Sequence, residues 1–168
     1  AQRADERVKQ ARELQYRNAG RPDFYCSLLE SADNVTGQLE KAAFHLGLFP
    51  ATPPGTALID TLTSLANLSA SGAKAYLKAL ETARKVRRGG PREDLQDFLE
   101  SIRHIIAAER QSNDALRSFK RALIVGDDDF RTLYTCAECA RNLEAAADTL
   151  RRTALQLHDH ILATLGDD

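Results

Sequence analysis

The chain has 168 residues, 43% of them hydrophobic and 28% charged, enough for one globular domain with a buried core. Lys+Arg (23) and Asp+Glu (24) almost cancel to a net charge of −1, which excludes a globally basic nucleic-acid binder and a chain with a dominant acidic tail. No apolar run reaches the length of a membrane span, residues 1–7 are polar and unlike a signal peptide, and three cysteines point to a reducing compartment rather than a disulfide framework.

Periodicity is helical nearly throughout. A first helix is expected from before Asp5 to about Asn18, with Val8, Ala11 and Leu14 inward, stopped by Asn18, Gly20 and Pro22. Methionine is absent, so Ala1 is read as lying inside a helix rather than at the translational start. A second helix begins near Asp23 and carries Phe24, Leu28, Ala32, Val35, Leu39, Ala42 and Leu46 at steps of three and four. Residues 47–55, with Pro50, Pro53 and Pro54, form a loop. The third helix is predicted from about Thr56 to Val86, its inner face made of Ala66, Ala70, Ala73 and Ala83 with Leu62, Leu65, Tyr76, Leu77 and Leu80. After a break at residues 87–91, a fourth helix runs from about Arg92 to Val125, with Leu95, Leu99, Ile102, Ile106, Glu109, Asn113, Leu116 and Leu123 on one stripe. An aspartate at 127–129 caps the fifth helix, which uses Phe130, Leu133, Ala137, Ala140, Leu143, Ala147, Leu150, Ala154, Leu157, Ile161 and Leu165. No strand pattern competes. Short connections force antiparallel neighbours. The expected architecture is all-α: one domain over residues 1–168, an elongated antiparallel up-and-down bundle of three long helices and one or two shorter ones.

An offset of 108 residues superposes Glu30-Ser31-Ala32-Asp33-Asn34-Val35 on Glu138-Cys139-Ala140-Arg141-Asn142-Leu143, and residues 1–5 on 109–113. Helices one and two thus repeat as the end of helix four and helix five, with helix three between the two hairpins. The repeat carries Glu-x-x-x-Asn three times, at Glu30/Asn34, Glu109/Asn113 and Glu138/Asn142; the fourth place reads Ala1/Asp5. Spacing of four puts both side chains on one face, a turn apart. Glu109 and Asn113 interrupt an apolar stripe, where a carboxylate must be paired, hydrogen-bonded or ligating.

These segments, residues 28–35 after the Pro22-Asp23 helix start, 105–114 and 133–142, resemble the PhoU-like phosphate-uptake regulators, in particular the accessory proteins of low-affinity phosphate permeases. The resemblance implies a helical bundle, with about one further helix before Ala1, that holds metal ions through repeated acid-x-x-x-Asp motifs. Carried over residue by residue, the metal site would draw on Asp5, Glu30, Asn34, Glu109, Asn113, Glu138 and Asn142. Here the family's second acid is Asn at 34, 113 and 142, and its first acid is Ala at 1. An amide carbonyl is a weaker ligand than a carboxylate for hard cations, so binding of a divalent or ferric ion is expected to be weak or absent.

Other constellations are read against their ordinary roles. Cys136-x-x-Cys139 and Cys26 are expected to be small buried thiols, since no βα junction accommodates a redox motif. Asp97, Glu100 and His104 read as a solvated face, and His158, Asp159 and His160 as a terminal turn. Arg84, Lys85, Arg87, Arg88 and Arg92 gather positive charge at one bundle end, suited to acidic headgroups or a permease loop. No nucleophile, base and orienting group fall at a workable spacing. The resemblance, with no catalytic set legible, implies a non-enzymatic accessory protein of phosphate transport, cytoplasmic, either free or peripheral to the membrane, and not inserted in it. Its expected partners are a membrane phosphate permease and further copies of itself, with no nucleic acid. The rival readings are an oligomerising helical scaffold without metal and a metal-binding four-helix bundle.

Overall fold

The computed structural model describes residues 24–49 and 54–166; the first predicted helix, with Asp5, lies outside the described residues. Four helices follow in order: α1 (Phe24–Gly47), α2 (Thr56–Ala83), α3 (Arg92–Val125) and α4 (Phe130–Gly166). There is no strand among the described residues, and the fold is an all-α bundle. The breaks fall where the sequence demands them. In the 87–90 turn, Gly90 N–H bonds to Arg87 C=O at 2.9 Å, and Gly89 takes φ +70°, a conformation in which a Cβ is strained. Asp129 caps α4: its Oδ1 accepts from Arg131 N–H at 2.8 Å and Thr132 N–H at 3.3 Å, and its Oδ2 from the Thr132 hydroxyl at 2.6 Å. Those bonds, the Thr132 hydroxyl first, hold the Asp129 carboxyl below its ordinary range.

Helix α4 is the hub, in contact with α1, α2 and α3, while α1 touches α4 alone among the described helices. Its buried residues explain why. A central seam, Thr132, Cys136, Cys139, Leu143, Ala146, Leu150, Thr153 and Leu157, advances by four and three. This is the period at which side chains of paired helices interlock. It faces α2: the Ser69 hydroxyl reaches Leu143 C=O at 3.0 Å, and a Cβ built on Gly72 would meet Leu150 Cδ1 at 3.4 Å. One flank, Ala140, Ala147 and Ala154, is uniformly small; it lies beside Arg151, which reaches Glu109 on α3. The other flank, Thr135, Asn142 and Thr149, is polar and lies toward α1, where Ser27 Oγ meets Gln156 Oε1 at 3.5 Å. Its polar groups are satisfied within α4, by bonds to Arg131, Glu138 and Ala145 C=O at 2.7, 2.7 and 2.8 Å.

The partner seams follow the same step. On α2 it is Leu58, Leu62, Leu65, Ser69, Gly72, Tyr76, Ala79 and Ala83; on α3 it is Phe98, Ser101, Ile105, Ala108, Ser112 and Phe119. Two apolar clusters result. One gathers Val35, Tyr76, Phe98, Ile102, Ile105, Leu150 and Leu157 toward the 84–91 turn. The other gathers Ala42, Leu58, Leu62, Leu65, Phe119, Cys136, Cys139 and Leu143 toward the 126–129 turn. Small side chains at the waist, Ser69, Gly72, Ala108 and Ser112, separate them. Seven expectations for inward residues differ from the structure: Ala32, Ala66 and Ala70 are exposed, as are Leu39, Leu46, Leu77 and Phe130. The α2 seam runs through Ser69, Gly72 and Tyr76, so residues one or three positions off it point outward.

Candidate functional site

Residue register determines which of the predicted site residues meet. Phe24 stacks on His160 (ring centroids 3.7 Å apart), Ser27 reaches Gln156, and His45 Nε2 lies 4.0 Å from Glu138 Oε2. These pairs make α1 antiparallel to α4 and put the repeat-related helices directly against each other.

The Glu109/Asn113 step on α3 is built as the spacing requires. Asn113 Nδ2 donates to Glu109 Oε1 at 2.7 Å. The second oxygen faces α4: Arg151 Nε lies 3.5 Å from Glu109 Oε2, with the Glu109 side chain only 12% exposed. The pair is electrostatic rather than well aligned, because buried Arg151 Nε completes no hydrogen bond. Asp148 lies beside both Arg151 and Arg152, at 3.7 and 3.1 Å. Burial, with repulsion from Asp148 and Glu109, pushes the Glu144 carboxyl upward.

The Glu138/Asn142 step on α4 is arranged otherwise. Asn142 is buried and donates to the backbone C=O of Glu138, not to its carboxylate. The carboxylate is taken by Arg141 and faces His45. His45 Nδ1 is buried and has no hydrogen-bond partner. On α1, Glu30 and Asn34 are both exposed, and Asn34 Oδ1 accepts from Gln38 Nε2 at 3.4 Å.

Arg151, which marks the level of Glu109, and Glu138 are 13 residues apart on α4, about 20 Å along a helix rising 1.5 Å per residue. Helices α1 and α3 do not touch, so Glu30 and Glu109 sit on opposite flanks of α4. The structure therefore holds the three steps at three separate places. A cation at Glu109 would have to displace Arg151, which already balances the carboxylate. Among the described residues, no three His, Cys, Asp or Glu side chains lie close enough to hold a metal ion, and this donor set does not fit a carboxylate cluster.

Cys26, Cys136 and Cys139 are buried. Burial pushes Cys136 and Cys139 up to about 11, which keeps both as unreactive thiols at neutral pH. His158 bonds Asp159 at 2.9 Å.

Two surface features stand apart from the motif residues. The first is the end made by the C-termini of α1 and α3 and the N-termini of α2 and α4, joined by Gly55 N–H to Asp128 Oδ1 at 3.0 Å. Most of the exposed large apolar side chains among the described residues gather there: Phe44, Leu46, Leu48, Ile59, Ile124, Val125, Phe130 and Tyr134. At the α3–α4 tip, Ile124, Val125, Phe130 and Tyr134 are 81, 82, 78 and 54% exposed, and Phe130 and Tyr134 stack at 6.2 Å. Ile124-Val125 beside an aspartate turn is the sequence signal for this tip, while the three-and-four spacing that places Phe130 on the core stripe conceals its exposure. The second feature is an open groove of about 400 Å³ between α2 and α3, floored by Leu68, Ala75, Ala107 and Ala108 and edged by Lys74, Lys78 and His104. No described helix is long and apolar enough to cross a membrane.

Comparison of the chain with protein-family models, curated proteins and solved structures finds no match.

Proposed function

We propose that this chain works by contact: a helical bundle, not an enzyme, that seats its apolar end on another protein. The carrying observation is the apolar tip of Ile124, Val125, Phe130 and Tyr134. Phe44, Leu46 and Leu48 are exposed at the same end, and aromatic and aliphatic side chains gathered on a surface mark interaction sites. The ionisable groups support the same reading. Glu109 and Glu138 are answered by arginines, and the buried polar groups of α4 bond to their own helix rather than converging on a cavity.

The finer reading is that the partner is a membrane phosphate permease and the protein an accessory regulator of phosphate uptake, at the cytoplasmic face. It is supported by the resemblance of residues 28–35, 105–114 and 133–142 to PhoU-like regulators. Metal plays at most a weak part in it. The test is co-purification of the chain with a detergent-solubilised low-affinity phosphate permease, alongside phosphate uptake in a strain lacking the chain. Capture that is lost in Phe130→Ser/Tyr134→Ser, with altered uptake, is the expected result. Unchanged uptake and no capture would overturn the permease reading. If sedimentation of the same proteins shows a dimer that the double substitution dissolves, the partner is a second copy instead. If neither association occurs, the contact reading itself fails.

A further inference from the structure

We infer that the groove between α2 and α3 is a binding site for a small organic anion, one with a flat or aliphatic apolar body and a phosphate or carboxylate head. This goes beyond the contact role and does not depend on it. The groove arises from the seam: where Gly72 and Ala108 let the two helices approach, the flanking positions are also small, and a depression of about 400 Å³ is left. That volume falls in the range of small-molecule sites.

Its lining is unequal in charge. Lys74 and Lys78 are one turn apart on α2 and so share a face; His104 stands across from them on α3, and Ser71 and Gln111 add hydrogen-bonding groups. No carboxylate lines the groove. Glu81 and Glu100, each about a turn from a basic member, fall outside the lining. Neither lysine forms an ion pair among the described residues. An anionic head placed between the lysines and His104 would gain charge-assisted hydrogen bonds. An apolar body would cover the alanine floor. Inorganic phosphate would use the first contribution only, and a neutral ring the second only.

The test is amide NMR of the full chain titrated with phenyl phosphate and benzoate, against inorganic phosphate and phenol as half-ligands, each to millimolar concentration. Saturable shifts at residues 71–78 and 104–111 are expected, stronger for phenyl phosphate or benzoate than for either half-ligand; the better of the two identifies the head group. Lys74→Gln/Lys78→Gln, both exposed positions whose replacement leaves the seam intact, is expected to weaken binding about fivefold or more, and added salt to weaken it further. Phe130→Ser/Tyr134→Ser should bind as wild type, which separates this site from the apolar end. The inference is overturned if phenol binds as well as phenyl phosphate, if shifts fall only around residues 124–134, or if the double glutamine variant binds as wild type.

Discussion

Three serines on the α2 and α3 seams are a controlled comparison, because only one is unsatisfied. Ser112 Oγ is buried and has no hydrogen-bond partner. Ser69 Oγ lies 3.0 Å from both Leu65 C=O and Leu143 C=O, and Ser101 Oγ donates to Asp97 C=O at 2.9 Å. Replacing Ser112 by alanine removes a buried hydroxyl whose desolvation costs about 1–3 kcal/mol. It also improves helix propensity by about 0.5 kcal/mol, against a small loss of packing. The expected net gain is about 1–2 kcal/mol, or roughly 3–6 °C in Tm for a chain of this size. Ser69→Ala removes a hydrogen bond worth about 1 kcal/mol and regains about half of that in propensity. It should therefore be less stable by about 0.5 kcal/mol. Urea titrations followed by far-ultraviolet circular dichroism measure both, provided m stays constant. If Ser112→Ala is no more stable than wild type, or the two substitutions shift stability in the same direction, the assignment of hydrogen bonds along the seam is wrong.

Phe98 is fully buried in the cluster nearer the 84–91 turn, and Phe98→Ala should cost about 3–5 kcal/mol in the same titration. Gly37 lies inside α1 with nothing within 4 Å of where a Cβ would stand, so Gly37→Ala should add about 0.5–1 kcal/mol. Two carboxylates should give opposite pH responses in thermal melts. Asp129 is held low by its capping bonds; it stabilises above the ordinary carboxylate range and loses that effect as pH falls through its lowered value, so Asp129→Ala should differ least from wild type in acid. Glu144 is raised, first by burial; its favourable contribution belongs to low pH and is lost as pH rises through the raised value. Glu144→Gln should thus be the more stable protein at neutral pH and lose its advantage in acid.

Helix boundaries were legible because Pro and Gly stand at the breaks: the fourth predicted helix, Arg92 to Val125, coincides with α3. The third ends at Ala83 rather than Val86, since a fraying last turn leaves no mark in composition. Which face of α3 meets α2 was hidden. Leu95, Leu99, Ile106 and Leu116 drew attention by hydropathy, yet the tight seam beside them holds Ser101, Ala108 and Ser112. Close helix approach selects small residues, and small residues carry little hydrophobic signal. Thr135, Asn142 and Thr149 were hidden for a related reason: polar side chains become buriable once carbonyls of their own helix accept their protons. In the motif, the Asn113–Glu109 bond follows from spacing alone. That Arg151 answers Glu109 does not, because it depends on the axial register of α3 against α4, which no local pattern encodes.

Because α1 rests on α4 alone among the described helices, and contributes just Cys26, Val35 and Ala42 to the buried set, its departure would leave the three-helix contacts of α2, α3 and α4 whole. Amides of α1 should therefore exchange with solvent through a lower-energy opening than those of α4, as a separate cooperative unit. Among the described residues the bundle is in that sense a rope of three helices with a fourth laid along one side.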